Sequence, residues 1–293
     1  MSEPTKISVR VKATVSQVRH ALTDPGALRT WLAEHAEVEL PQRFEFWGRY
    51  TPAGDAPRQR LLHTDDHTLR FAWQLDGRDT TVEFALREQA PDSTIVTLTQ
   101  TGLPDYAEML EQAGPLSLLY TFWTATLANL VDHLEGREPT PKCDFSTPEM
   151  RAQLFINASP HAVYDAISDP VQVTQWFGAN IEAELYVGGR WAMGGFDLDP
   201  SPAKIVELEP DRKLSIEWSD SMVSSWELEG SDGKTRLTYV QSGFAEENPP
   251  YGGWLGMLAG ATELRRFVEL DGWRPMWTEI HLDGVPDGLL STP

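Results

Sequence analysis

Alternation of apolar and polar residues runs through most of this chain and breaks twice for the same short helical pattern. Ile7, Val9 and Val11 alternate with polar neighbours and predict a half-buried opening strand. Within Asn157–Phe177, Val163, Ala166 and Ile167 fall at i, i+3 and i+4, the apolar stripe of a short helix. Ser159 stands where an N-cap hydroxyl accepts from the first free amides, and Pro160 suits the first helical turn. Asp169 precedes Pro170 and is biased away from the helical region. The helix therefore ends there, and a second one carries Trp176-Phe177. The stretch Thr14–Leu32 has the same plan: Val18 matches Val163, Ala21 matches Ala166, Asp24-Pro25 matches Asp169-Pro170 and Trp31 matches Trp176, all 145 residues apart. Solenoids repeat every roughly 20–50 residues, so this offset marks two whole domains in tandem. The aromatics of both stretches are expected to plug a core beneath a helix pair.

Strand patterns follow each helix pair. Residues 35–50 predict two strands turned at Pro41, with Phe44 and Phe46 on one face and Glu45, Trp47 and Arg49 on the other. Thr51–Pro57 has turn composition, and strands follow at 58–63, 69–75, 80–88 and 94–101. Gly102-Leu103-Pro104 ends the sheet, and Leu116–Leu134 is one long, aromatic-rich amphipathic helix. The second half repeats the order: Leu154-Phe155-Ile156, a strand near 181–187, then Arg190–Gly195, Ala203–Leu208, Lys213–Ser219, Val223–Glu229 and Thr235–Gln241. Gly230-Ser231-Asp232-Gly233 has hairpin-turn chemistry, and a closing helix covers Gly253–Leu270. The expected organisation is a first domain at 1–137, a linker at 138–148 containing Pro139, Pro141 and Pro148, a second domain at 149–275 and a tail at 276–293. From Gly272 onward no periodicity appears, and Trp273 and Trp277 are expected to pack back on the domain. The fold class is α+β, with antiparallel sheets.

Several pieces of the second half resemble the START-like (SRPBCC, helix-grip) superfamily, in the group related to the C-terminal domain of the heat-shock-protein-90 ATPase activator. They are Ala158-Ser159-Pro160 through Trp176-Phe177, Val187-Gly188-Gly189-Arg190-Trp191, and Lys204-Ile205-Val206-Glu207-Leu208-Glu209-Pro210 leading to Leu214 and Trp218. Thr235-Arg236-Leu237-Thr238, Ser242-Gly243-Phe244 and Gly253-Trp254 continue the match, which covers nearly all of 150–270 in the family's order. The first half matches at its helix pair, at Phe71-Ala72-Trp73, at Gln100-Thr101-Gly102-Leu103 and at its long helix. It departs at Leu40-Pro41-Gln42-Arg43, where Gly188-Gly189 should recur. The resemblance implies two tandem helix-grip domains, each a curved antiparallel sheet wrapped around a long C-terminal helix. Between sheet and helix, many relatives hold an apolar ligand.

Composition narrows the partners. Hydrophobic residues at 41% with 11 tryptophans describe a folded chain. Residues 1–144 hold 14 Lys+Arg against 21 Asp+Glu, a charge of −7, and the rest hold 10 against 23, or −13. Neither nucleic acid nor an anionic membrane attracts such a protein. Cys143 is the only cysteine, which rules out an intrachain disulfide and a cysteine metal cluster. The opening Met1-Ser2-Glu3-Pro4-Thr5 lacks the basic-then-apolar pattern of a signal peptide, so the expected location is cytoplasmic.

Catalytic signatures are scarce. There is no G-x-S-x-G, P-loop or H-E-x-x-H run, and neither cofactor nor metal is expected. His63-Thr64-Asp65-Asp66-His67 places two histidines at i, i+4, but between strands and around an Asp-Asp turn. Gly188-Gly189 precedes a strand, without the helix N-terminus that anion binding needs. Glu227 and Glu229 face away from Trp226 and Leu228. What remains is a set of cavity-lining candidates: Trp73, Phe84 and Trp123 in the first domain, and Trp191, Met193, Trp218, Trp226, Tyr239, Trp254 and Met257 in the second. The closing helix of the second half carries Gly253, Gly256 and Gly260, which signal either room for a ligand or close backbone approach. The leading expectation is non-catalytic binding of a small hydrophobic molecule, more in the second domain than the first. The alternatives are a cyclase- or hydrolase-type enzyme in the same cavity and a chaperone-cofactor or protein-interaction module.

Overall fold

Aspartate-proline pairs set the helices. In a computed structural model of the chain, which describes residues 3–290 except Ala53, Gln112, Ala113 and Asp232, Asp24 (φ −88°, ψ 124°) and Asp169 (φ −72°, ψ 114°) are extended. Each ends one helix and caps the next, Asp24 Oδ1 accepting from Ala27 N and Asp169 Oδ1 from Val171 N. Ala53 and Asp232, expected in turns, lie outside the described residues.

The elements of the first half are β1 (Thr5–Val11), α1 (Val15–Thr23), α2 (Pro25–Trp31), β2 (His35–Glu39), β3 (Arg43–Trp47), β4 (Gln59–Thr64), β5 (Thr68–Leu75), β6 (Arg78–Ala90), β7 (Ser93–Thr101), α3 (Tyr106–Glu111) and α4 (Leu119–Leu134). The second half has β8 (Met150–Ile156), α5 (Pro160–Ser168), α6 (Pro170–Phe177), β9 (Ile181–Ala183), β10 (Arg190–Met193), β11 (Ala203–Glu209), β12 (Lys213–Glu217), β13 (Val223–Ser231), β14 (Lys234–Ser242), α7 (Tyr251–Glu269) and β15 (Trp277–His281). Both halves thus run strand, helix pair, antiparallel meander, long helix. These are two tandem helix-grip domains.

By its contacts the chain forms two compact units. One holds Met1–Thr147 with Tyr251–Ala259 and Met276–Val285, the other Pro148–Pro250 with Gly260–Pro275 and Pro286–Pro293. In the first unit the sheet order is β15-β1-β7-β6-β5-β4, with β2-β3 as a separate hairpin. In the second, β8-β14-β13-β12-β11-β10-β9 is continuous.

The repeated sequence makes repeated contacts. Thr14 and Gln17 form a reciprocal capping box on α1, and Ser159 Oγ accepts from Ala162 N on α5. Trp31 Nε1 donates to Ala21 O at 3.0 Å and Trp176 Nε1 to Ala166 O at 2.8 Å. Near the ends of the long helices, Glu135 Oε1 accepts from Lys12 N and Glu269 Oε1 from Asn157 N. That pair sets a helix register in which Phe122 and Trp123 correspond to Gly256 and Met257.

The tail differs from expectation. Trp277–His281 is a strand, pairing Lys6 with His281 and Ile7 with Ile280 at the edge of the first sheet. An edge strand gains backbone hydrogen bonds without needing a fully buried face, so its side chains carry little alternation. Helix α3 was likewise not legible, and none of its side chains is buried.

Candidate functional site

The first unit has a filled interior. Trp73 lies 5.7 Å from Trp123, ring centre to ring centre, and 5.1 Å from Phe46, while Phe84 lies 5.7 Å from Trp123. Trp73 and Trp123 are fully buried and Phe84 is 2% exposed. Gln100 is the polar group among them. Trp123 Nε1 donates to its Oε1 at 2.5 Å, its Nε2 donates to Thr80 Oγ1 at 2.8 Å, and Thr80 Oγ1 donates to Trp73 O. Both ends of the Gln100 amide are satisfied. Among the buried side-chain nitrogens of this unit, Trp73 Nε1 and Gln59 Nε2 have no partner. They belong to cross-strand neighbours on β4 and β5.

The second unit has a different inner wall. On β13, Ser224, Trp226 and Leu228 point inward; on β14, Thr235, Leu237, Tyr239 and Gln241 do the same, because alternate residues share a face. Trp226 and Tyr239 are directly opposite, ring centres 5.2 Å apart. Ser224 is opposite Gln241, whereas in the first unit Val82 is opposite Gln100. A serine replaces a valine at this place in the wall. Trp218 Nε1 donates to Ser224 Oγ at 2.9 Å, and Gln241 Nε2 donates to Ser224 Oγ at 3.3 Å and to Tyr239 Oη at 3.2 Å. Gln241 Oε1, on a side chain 4% exposed, has no partner. Burial pushes the Tyr239 hydroxyl far above its ordinary pKa, so it stays protonated.

An aromatic row leads into this group. Trp176 meets Phe177 at 5.5 Å, Phe177 meets Trp191 at 6.3 Å and Trp191 meets Trp218 at 5.5 Å. Trp176 and Trp191 are buried, while Trp218 and Met193 are half-buried. Of the candidates read from sequence, Trp191, Trp218, Trp226 and Tyr239 therefore lie along this wall, and Trp73, Phe84 and Trp123 form the first unit's core. Trp254 and Met257 are buried on Tyr251–Ala259, the part of α7 grouped with the first unit. Sequence reasoning passed over Ser224 and Gln241. The signal available was a polar residue at an inward-facing strand position.

A small cavity of about 10 Å³, room for one water molecule, lies in the first unit. It is lined by Phe122, Asn129, Lys142 and Cys143 among others, and by none of the ten candidates. Asn129 Nδ2 donates to Thr140 O, and its buried Oδ1 has no partner. Lys142 Nζ donates to Arg29 O and Ala33 O at the end of α2, and burial lowers its pKa to about 8. The buried Cys143 thiol is pushed well above its usual value, which keeps it protonated and unreactive.

The helix glycines face close neighbours. A Cβ on Gly256 would lie 3.8 Å from Thr121 Cγ2, and one on Gly260 would lie 3.3 Å from Trp176 Cζ3 and 3.4 Å from Phe177 Cδ2. Close approach accounts for Gly260. His63 and His67 flank the β4–β5 turn, where Asp65 accepts from His67 N, Thr68 N and the His63 ring and is held at a pKa of about 2. Among the described residues no three His, Cys, Asp or Glu side chains gather as a metal requires, and no helix is long and apolar enough to cross a membrane.

Fold and interior together define a tandem START-like protein of the helix-grip class. The family profile described as "Activator of Hsp90 ATPase homolog 1-like protein" matches residues 12–135 and 157–263, most of both domains, and the chain belongs to that family. A search of curated proteins gives no match. Among solved structures, DynU16, "a putative protein in the dynemicin biosynthetic locus", is 18% identical over 92% of this chain and 98% of its own, with a TM-score of 0.37. Protein CV1439 from Chromobacterium violaceum is 22% identical over 42% of this chain and 99% of its own, with a TM-score of 0.34. The Aha1 dimer from Colwellia psychrerythraea is 18% identical over 42% of this chain and 96% of its own, with a TM-score of 0.37.

Proposed function

We propose that this protein binds a small hydrophobic molecule, without catalysis, against the inner wall of its second domain. The observation that carries the reading is the difference between the two walls. The first domain presents Val82 beside a Gln100 satisfied by Trp123 and Thr80. The second presents Ser224, Tyr239 and Gln241 at the end of an aromatic row whose last member, Trp218, is half-buried. Apolar walls with a few convergent polar groups are the usual make-up of small-molecule sites.

The test is a fluorescence titration of the full-length protein with the uncharged probe N-phenyl-1-naphthylamine. Wild type is expected to bind it saturably, and Ser224→Val, which rebuilds the first-domain wall, to lose binding while still unfolding cooperatively, at a melting temperature lowered by the loss of the Trp218 acceptor. Equal binding by both proteins, or by neither, overturns the reading.

A second reading rests on Leu185, Tyr186 and Val187, which are 47%, 59% and 62% exposed in consecutive places between β9 and β10. Three adjacent exposed apolar side chains favour a protein partner. Since the family description names an Hsp90 ATPase activator, the partner to try is Hsp90. Stimulation of its ATPase, lost in Tyr186→Ser/Val187→Ser, supports this reading, and no stimulation by wild type removes it.

A further inference from the structure

We infer that Gln241 selects the ligand, and that the molecule bound in the second domain carries a hydroxyl group on an otherwise apolar, ring-shaped body. This deepens the function proposed above and rests on it. Gln241 is 4% exposed, and only one end of its carboxamide is used: Nε2 faces Ser224 Oγ and Tyr239 Oη, while Oε1 has no partner. A buried amide oxygen without a donor is unfavourable, so a donor is expected there in the working state. Rotating the amide does not remove the problem. Oε1 can then accept from the Ser224 or the Tyr239 hydroxyl, which also bond each other, and Nε2 becomes the orphan. A hydroxyl, which both donates and accepts, satisfies either rotation, whereas an ether, a hydrocarbon or a carboxylate does not.

The same residue in the first domain shows what complete satisfaction looks like. Gln100 has an indole donor for its oxygen and a threonine acceptor for its nitrogen. In the helix register set by Glu135 and Glu269, Met257, with no N–H to donate, holds the sequence place of Trp123. Trp218 donates its indole N–H to Ser224 Oγ, not to Gln241, whose Oε1 has no partner. The hydroxyl of a ligand completes the set. The rings of Trp191, Trp218 and Trp226 suit a planar apolar body.

The experiment compares 2-naphthol, naphthalene and 2-methoxynaphthalene by isothermal titration with the full-length protein and with Gln241→Met. Wild type is expected to bind 2-naphthol at least about tenfold more tightly than either analogue, a preference of the size one buried hydrogen bond supplies. Gln241→Met is expected to keep the two analogues and lose the preference, with its melting temperature unchanged or raised. Wild type binding all three equally means that an internal water already serves Gln241; that outcome overturns this inference and leaves the proposed function standing. Binding of none of the three while N-phenyl-1-naphthylamine also fails overturns both. A preference for 2-naphthol that survives in Gln241→Met assigns selection to another residue and overturns the role of Gln241.

Discussion

Trp176 donates its indole N–H to the carbonyl of Ala166 at 2.8 Å, tying the second helix of the pair to the first. Trp31 and Ala21 repeat the bond at 3.0 Å. Both tryptophans are almost fully buried, so each is packing and hydrogen bond at once. Trp176→Ala is expected to cost about 3–5 kcal/mol, as large-to-small core changes do. Trp176→Phe keeps most of the volume and strands the Ala166 carbonyl, for about 1–3 kcal/mol. Urea unfolding followed by circular dichroism measures both, and an Ala variant as stable as wild type contradicts the plug.

One substitution should act oppositely at the two glutamines. Gln100→Met leaves the buried Trp123 Nε1 without its acceptor, at about 1–3 kcal/mol. Gln241→Met removes an amide that is only half satisfied, and stability should hold or rise. Thermal melts of the two variants compare them directly. Equal losses would mean that Gln241 is satisfied within the folded protein.

Glycines along α7 should also separate. At Gly256 an added methyl meets Thr121 at an ordinary 3.8 Å, so Gly256→Ala should gain up to about 1 kcal/mol from helix propensity. At Gly260 the methyl meets Trp176 and Phe177 at 3.3–3.4 Å, and Gly260→Leu should cost about 1–3 kcal/mol by overpacking. Melting temperatures in the reverse order would contradict the close approach at Gly260.

Lys142 titrates low because burial outweighs the pull of Glu34 on its charge. Its folded pKa of about 8 lies below the ordinary lysine value of 10.5. Below pH 8 the folded state therefore carries the cost of a protonated, partly buried amine. That cost is relieved as the pH rises from 8 to 10.5, where the unfolded chain still holds the proton and stability increases with pH. NMR of the protein after reductive methylation should find one lysine with a midpoint near 8. A full set of midpoints near the ordinary value would contradict its burial.

The fold was legible because its punctuation is local. Asp24-Pro25 and Asp169-Pro170 stop and restart helices by chain stereochemistry alone, and the buried positions Thr80, Val82, Phe84 and Leu86 of β6 and Ser224, Trp226 and Leu228 of β13 alternate with more exposed ones. β15 was not legible, since an edge strand such as Trp277–His281 is held by backbone bonds that leave no pattern in side chains. The candidate site was half legible. Trp191, Trp218, Trp226 and Tyr239 stand out as large residues at inward positions, whereas Gln241 reads like Gln100, each followed by a hydroxyl residue and a glycine. Only three-dimensional packing reveals that an indole reaches the oxygen of one amide and not that of the other. The α7 glycines were ambiguous for the same reason, because a small side chain can mark empty space or a neighbour already filling it.

Native mass spectrometry of the full-length protein, freshly purified and then incubated with 2-naphthol, tests the central claim most directly. The account predicts one additional charge-state series, displaced by the mass of a single small molecule, present in wild type and absent in Ser224→Val. A spectrum holding only the bare protein mass before and after incubation, or an adduct that Ser224→Val retains in full, would contradict it.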